Sequence, residues 1–336
     1  MHPGTFMTAL LASHAAATPN NAGTFVQNCI NHLVEERADP VVSPGVPATH
    51  VHTVGGGNGF GLRITFAKAR RSSCSSCEAI SQDLSNYWSP KLYFHAKNGS
   101  FISIPIGGQM STGEGGGMAI YYNPRHQAGE HIKAFPDGFR MLAGDANKRN
   151  FSSDMAGKAI SYLCDRDTFY SLPTRPCKDN MRLQINFPSC WNGKDVDTTD
   201  HKSHMAYPVG HMDNGPCPAG FPVRLPSLFH EIVYQTALPP FAWWGSKQPF
   251  VLANGDASGY GYHGDFVNGW DGRVLQNALD NCKNNENCVQ KYFKPFPDDQ
   301  SWRCRQTQHV KEQVNGVLAA LPGKNVVTGV AGGEKK

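Results

Sequence analysis

Fourteen histidines occur in the chain, and several stand where imidazoles can act together. His50-Val-His52 precedes Gly55-Gly-Gly57 in a stretch that reads as extended. Residues i and i+2 of a strand project from one face, so these two rings make half of a metal site. Asp200-His-Lys-Ser-His204 lies in a polar, turn-rich region between Trp191 and Tyr207, and Tyr262-His-Gly-Asp265 sits among glycines that allow close backbone approach. His50, His52, His204 and His263 are therefore candidate ligands of one divalent ion. Zinc, copper or calcium is expected, and non-haem iron also suits imidazole with carboxylate. Three protein ligands with an open position imply catalysis, whereas four closed ligands imply structure. A lone HxH is more often hydrogen-bonded than metallated, so this reading requires the three segments to converge.

Proton transfer needs further groups. Asp145, Asp256 and Asp265 are candidate general acids or bases, because glycosidic hydrolysis uses two carboxyl groups on opposite sides of the bond. Each lies beside a glycine, and the ordinary alternative is a turn aspartate. Elimination from an acidic polysaccharide would instead use a cation and a histidine or tyrosine base, roles open to His201 and Tyr207. Arg140 can meet an anionic group, although Arg140 and Arg224 both lie in apolar surroundings that favour buried ion pairs. Tyr87, Trp88, Trp191, Lys202, Tyr262 and Trp270 are candidate substrate contacts, with Trp243-Trp244 and Tyr260 in similar loops. Flat rings can stack on sugars, and burial in the core is the competing explanation.

These side chains must be positioned by a turn-rich scaffold. With Gly 35, Pro 23 and only 17% charged residues, the composition is that of an all-β domain. Met181–Phe187 alternates at period two, and Lys91–His95, Phe101–Ile106, Met118–Tyr122, Ser227–Gln235 and Phe250–Leu252 read similarly as strands. We expect an antiparallel, jelly-roll-like β-sandwich with long loops. Helix is confined to Asp271–Cys282, capped by Asp271, and a weaker segment at Val310–Leu321. One globular domain is expected over 29–293, preceded by a degenerate signal or flexible segment at 1–28. A partly mobile extension over 294–336 follows, to which no function is assigned.

Ten cysteines make an even set that reads as disulfides of undetermined pairing, although Cys74-Ser-Ser-Cys77 also fits half a zinc site or a redox pair. The sequons Asn98-Gly-Ser100 and Asn150-Phe-Ser152 fit an exported glycoprotein. Met1–Ala17 has a short apolar stretch without a basic start. No apolar run reaches the roughly 18 residues of a membrane span. The net charge of +4 is scattered and no nucleic-acid-binding signature is present, so a nucleic-acid partner is not expected.

The chain resembles the family called domain of unknown function 1996, found in secreted fungal and bacterial proteins. The resemblance runs through Glu36–Gly45, His50–Val54, Ser85–Pro90 with Leu92–Phe94, Ala134–Asp145, Phe187–Lys194, Asp200–Pro208, Pro222–Pro226, and Asn254–Asp256 with Gly259–Asp271. Phe221 departs from the histidine expected before Pro222, and that position is left out of any site. The resemblance implies export, to the extracellular space or cell wall, and points toward polysaccharide. The resulting expectation is a secreted, monomeric, carbohydrate-active enzyme, a hydrolase or lyase, with one divalent ion and no organic cofactor. The alternative is a non-catalytic wall-, carbohydrate- or metal-binding protein.

Overall fold

Segments that alternate apolar and polar residues pair as strands through most of the chain and assemble two main antiparallel sheets. The computed structural model describes residues 20–21, 23–107, 116–282, 287–297 and 299–336. The five-stranded sheet runs in the order Arg140–Gly144, His263–Val267, Asn86–Pro90, His52–Gly56, Val34–Glu36. The larger sheet runs Asp167–Phe169, Ile160–Cys164, Met181–Asn186, Ser227–Tyr234, Met118–Asn123, Phe25–Asn28, with Ile106–Gly107 also paired to Ser227–Tyr234. All the expected strands are present.

The sheets pack face to face. Tyr87, Met141 and Phe266 of the first join Ile120, Tyr122, Leu183, Ile185 and Ile232 of the second in one buried cluster. At Gly264 a Cβ would lie 2.9 Å from Phe187 and 3.1 Å from Ile185, so this close approach of the sheets requires glycine. Both edges of the smaller sheet stay open to loops, which makes the arrangement a sandwich and not a closed barrel. Its other face carries Val34, Val54, Trp88 and Val267 under Phe60 and Ile64, and His52, His263 and Asp265 lie at one end of this covered face.

The helix at Gly272–Asn281 forms as expected, with Asp271 Oδ1 accepting from Arg273 N at 3.1 Å. No helix forms over 310–321. There Glu36 takes the amides of His309 and Val310, Tyr93 donates to Val314 O, and Val317–Leu318 pairs with Phe101–Ile102. Tertiary partners outcompete a weak local propensity. The CxxC is neither a zinc knuckle nor a redox pair: Cys74 bonds Cys304 and Cys77 bonds Cys29. The remaining disulfides are Cys164–Cys177, Cys190–Cys217 and Cys282–Cys288.

The domain extends beyond 29–293 at both ends. Phe25 is in the core, and Cys304, Val314, Leu318 and Leu321 join buried clusters. The stretch read as partly mobile is held along the domain by Thr328 N to Gly255 O, Tyr170 N to Glu334 O and Lys336 N to Thr168 O. The Met1–Ala17 stretch lies outside the described residues. Among the described residues no helix is long and apolar enough to cross a membrane.

His230 marks how apolar the core is. Its ring is fully buried, packs 4.5 Å from the Phe187 ring centroid, and has no hydrogen-bond partner on either nitrogen among the described residues. Burial lowers its pKa from 6.5 to about 3. Below pH 6.5 the unfolded chain takes up a proton that the folded chain refuses, so this residue costs stability as the pH falls toward 3. His230→Phe should flatten the decline by up to about 1.4 kcal/mol per pH unit, checked by urea unfolding at several pH values between 7 and 4; an unchanged slope would show that His230 is protonated or exposed when folded.

Candidate functional site

The sheet register builds the site. His52 pairs with Pro90, and Asp265 pairs with Trp88; two residues further along that register, His263 comes beside Pro90 from the other side. Two strands on either side of Pro90 thus send imidazoles over it on one face, and His50, two residues before His52, joins them. Ring centroids lie 4.4 Å apart for His50 and His52, 5.0 Å for His50 and His263, and 5.6 Å for His52 and His263. All three residues are at most 5% exposed.

The hydrogen bonds fix which nitrogens are free. His52 Nδ1 donates to Ala38 O at 3.0 Å and His263 Nδ1 donates to Gly261 O at 2.9 Å. Both Nε2 atoms then carry bare lone pairs, yet they face each other at 3.4 Å. His50 Nε2 lies 3.1 Å from His263 Nε2, and His50 Nδ1 lies 3.0 Å from Thr49 Oγ1. No assignment of neutral tautomers that keeps both carbonyl bonds turns both Nε2 contacts into hydrogen bonds. One proton from His50 satisfies one contact, and the other remains two lone pairs in repulsion.

Protonating a ring is disfavoured. His50 and His52 are held well below the ordinary histidine value, first by burial, then for His50 by His52 and His263 and for His52 by His263. Burial lowers His263 to about 4, with the Gly261 carbonyl opposing and the Lys202 charge adding to the shift. Three neutral imidazoles with converging lone pairs suit a metal ion. Tetrahedral coordination at the usual zinc–nitrogen distance separates ligand nitrogens by about 3.3 Å, against 3.1 and 3.4 Å here. Nδ1–H bonds to carbonyls are the usual outer support of metal-bound histidine. Calcium, which takes six to eight oxygens, does not match this nitrogen set.

Carboxyl groups adjoin the rings. Ligand atoms of Asp39, His52 and Asp265 lie within 4.8 Å of one another. Asp39 Oδ1 accepts from Val41 N and Val42 N, while both Asp265 oxygens are buried with no hydrogen-bond partner among the described residues. Burial, then the nearby Asp39 charge, pushes Asp265 well above the usual carboxylate range. Asp39 is raised by burial, and the hydrogen bonds from the Val42 and Val41 amides oppose this. Asp39 was not singled out from the sequence, because Asp39-Pro40 reads as a turn and only strand pairing carries it to His52.

Other expected residues take different places. His204 is a scaffold residue: Nε2 donates to Arg140 O at 2.9 Å, Nδ1 lies 3.0 Å from Thr198 Oγ1, and the ring packs on Phe139. Arg140 and His201 both bind Asp197, at 3.5 and 2.6 Å. Arg224 makes the buried ion pair with Glu130. Asp256 clamps its own loop, accepting from Ser258, Gly259 and Gly261 amides, and is not free for acid–base work. Tyr87, Trp88, Tyr262 and Trp270 are at most 1% exposed and fill the core, so they cannot stack on a sugar. Trp191 is half-buried and donates Nε1 to Asp195 O. Asp145, Lys202 and Tyr207 line a cleft of about 470 Å³. The Tyr207 hydroxyl is already committed to Asn186 O.

The protein defined by these features is a disulfide-stapled, mainly antiparallel β-sandwich with a buried three-histidine cluster. Residues 39–270 match the family described as domain of unknown function (DUF1996), and the chain belongs to that family. No curated protein and no solved structure matches it.

Metal titration tests the geometry. Zinc or copper at 100 times its dissociation constant should stabilise the protein by about 2.7 kcal/mol, and His52→Ala or His263→Ala should each abolish the gain while His204→Ala keeps it. Calorimetric melting of the stripped and loaded proteins reads this; a gain that survives loss of His263 would place the ion elsewhere.

Proposed function

We propose that the protein is a secreted, metal-dependent enzyme acting on polysaccharide. The observation that carries this is the convergence of three uncharged imidazoles in which every arrangement that keeps the Ala38 and Gly261 bonds leaves at least the His52 and His263 Nε2 lone pairs facing each other. Three nitrogens leave an ion with a free position for water or substrate, the arrangement of catalytic rather than structural zinc. When bound, the ion supplies Lewis acidity. The chain itself supplies Asp265 beside the ligands, a carboxyl whose hold on its proton burial strengthens, and its role is to deliver that proton to a leaving oxygen.

Chemistry based on two carboxylates alone fits less well. Glycosidase carboxyl pairs stand about 5–5.5 Å or about 6.5–9.5 Å apart across an open groove, whereas Asp39 and Asp265 approach within 4.8 Å and are both buried. Five disulfides are in keeping with an oxidising, extracellular setting. The exposed sequon residues Asn98 and Asn150 are open to glycosylation. A second reading, metal capture without turnover, draws on the low exposure of the three rings.

Incubating metal-loaded and chelated protein with neutral and acidic polysaccharides separates the readings. Products that need the metal, and that His263→Ala reduces by more than the roughly 10–100-fold cost of an outer-shell change, are expected. A tightly held ion with no product from any glycan would select capture instead.

A further inference from the structure

Beside the histidines, the cleft of about 470 Å³ has a size within the range of small-ligand sites. It lies along the Arg140–Gly144 strand, the edge of the site sheet, and Gly144 pairs with His263. Leu142, Met205 and Tyr207 give it a largely apolar wall, in which charges act more strongly than in open water.

Its charged groups are unequal. Lys148 and Lys202 line it, and neither ammonium ends in a hydrogen bond or ion pair among the described residues, although the Lys148 charge reaches Asp154. Asp145 is the one acid in the lining, and its Oδ1 accepts from Asn147 N at 2.9 Å. Neighbouring cations are already used: Arg149 donates to Ala146 O and Thr328 Oγ1, and Arg140 pairs with Asp197. Lys202 lines the cleft, and its charge is felt by both His263 and Asp265.

We infer that the cleft receives the acidic group of an anionic glycan, a uronate carboxylate or a sugar sulfate, with Lys202 as its principal contact and Lys148 as a second. An unpartnered ammonium in an apolar wall is complementary to an anion and indifferent to a neutral sugar. This inference rests on the reading of the protein as polysaccharide-active, and it narrows the substrate to acidic chains.

Calorimetric titration of the chelated full-length protein with oligouronates, sulfated oligosaccharides and neutral oligosaccharides of equal length tests it without the metal as a competing cation. Acidic oligomers should bind at least about tenfold more tightly than neutral ones, more weakly as salt is raised. Lys202→Gln should lose about tenfold, Lys148→Gln less, and Lys97→Gln, on an exposed turn elsewhere, nothing. The uronate and sulfate arms tell which anion is taken. Equal binding of neutral sugars, no binding of any, or indifference to Lys202→Gln overturns the inference. Metal content and activity of the same preparations are read separately: acidic binding with no metal and no turnover sinks the enzyme reading alone, and turnover of neutral glycans sinks this one alone.

Discussion

Two backbone carbonyls, those of Ala38 and Gly261, decide what the histidines of this protein can be. By taking the Nδ1 protons of His52 and His263 they turn both Nε2 atoms into acceptors and aim them at the same point. Without those bonds the rings could share protons and form an ordinary polar cluster. With them, a burial that already disfavours imidazolium leaves the lone pairs facing one another. Pro90 completes the arrangement from beneath, as the last residue of the strand that separates the two histidine-bearing strands.

Much of this was legible in the sequence. Period-two alternation marked the strands of the larger sheet, and the His50-Val-His52 spacing correctly put two rings on one face. His263 was recognisable from its glycine-rich setting, since Gly264 is the residue that lets the sheets approach. What could not be read was any outcome of long-range pairing. His204 stands in as polar and turn-rich a context as His263, yet its loop folds back along the sheet edge, where His201 O accepts from Leu142 N and the His204 ring reaches Arg140 O. Asp39 gave no local sign because its neighbours are set by pairing between Val34–Glu36 and His52–Gly56. The aromatic residues misled for a related reason: Tyr87 and Trp88 alternate across a strand covered on both faces, so each ring is buried on its own side.

The segment after 293 belongs to the same physics. Glu36, one strand position from the site, is satisfied by the His309 and Val310 amides and His309 Nδ1. Asn325 donates to Thr49 O, next to His50, and the Cys74–Cys304 bond anchors the approach to this stretch. A buried carboxylate without such partners is costly, so the C-terminal stretch replaces water around the site sheet and fixes the backbone on which His50 stands.

The order of the strands in that sheet has a consequence for biogenesis. Its members come from residues 34–36, 52–56, 86–90, 140–144 and 263–267, and His263 lies on the strand inserted between two made much earlier. During vectorial synthesis the paired histidines at 50 and 52 therefore wait with an incomplete neighbour until most of the chain has emerged. The three-nitrogen cluster is closed by the last strand of that sheet to arrive, which ties its completion to a late stage of the fold's maturation.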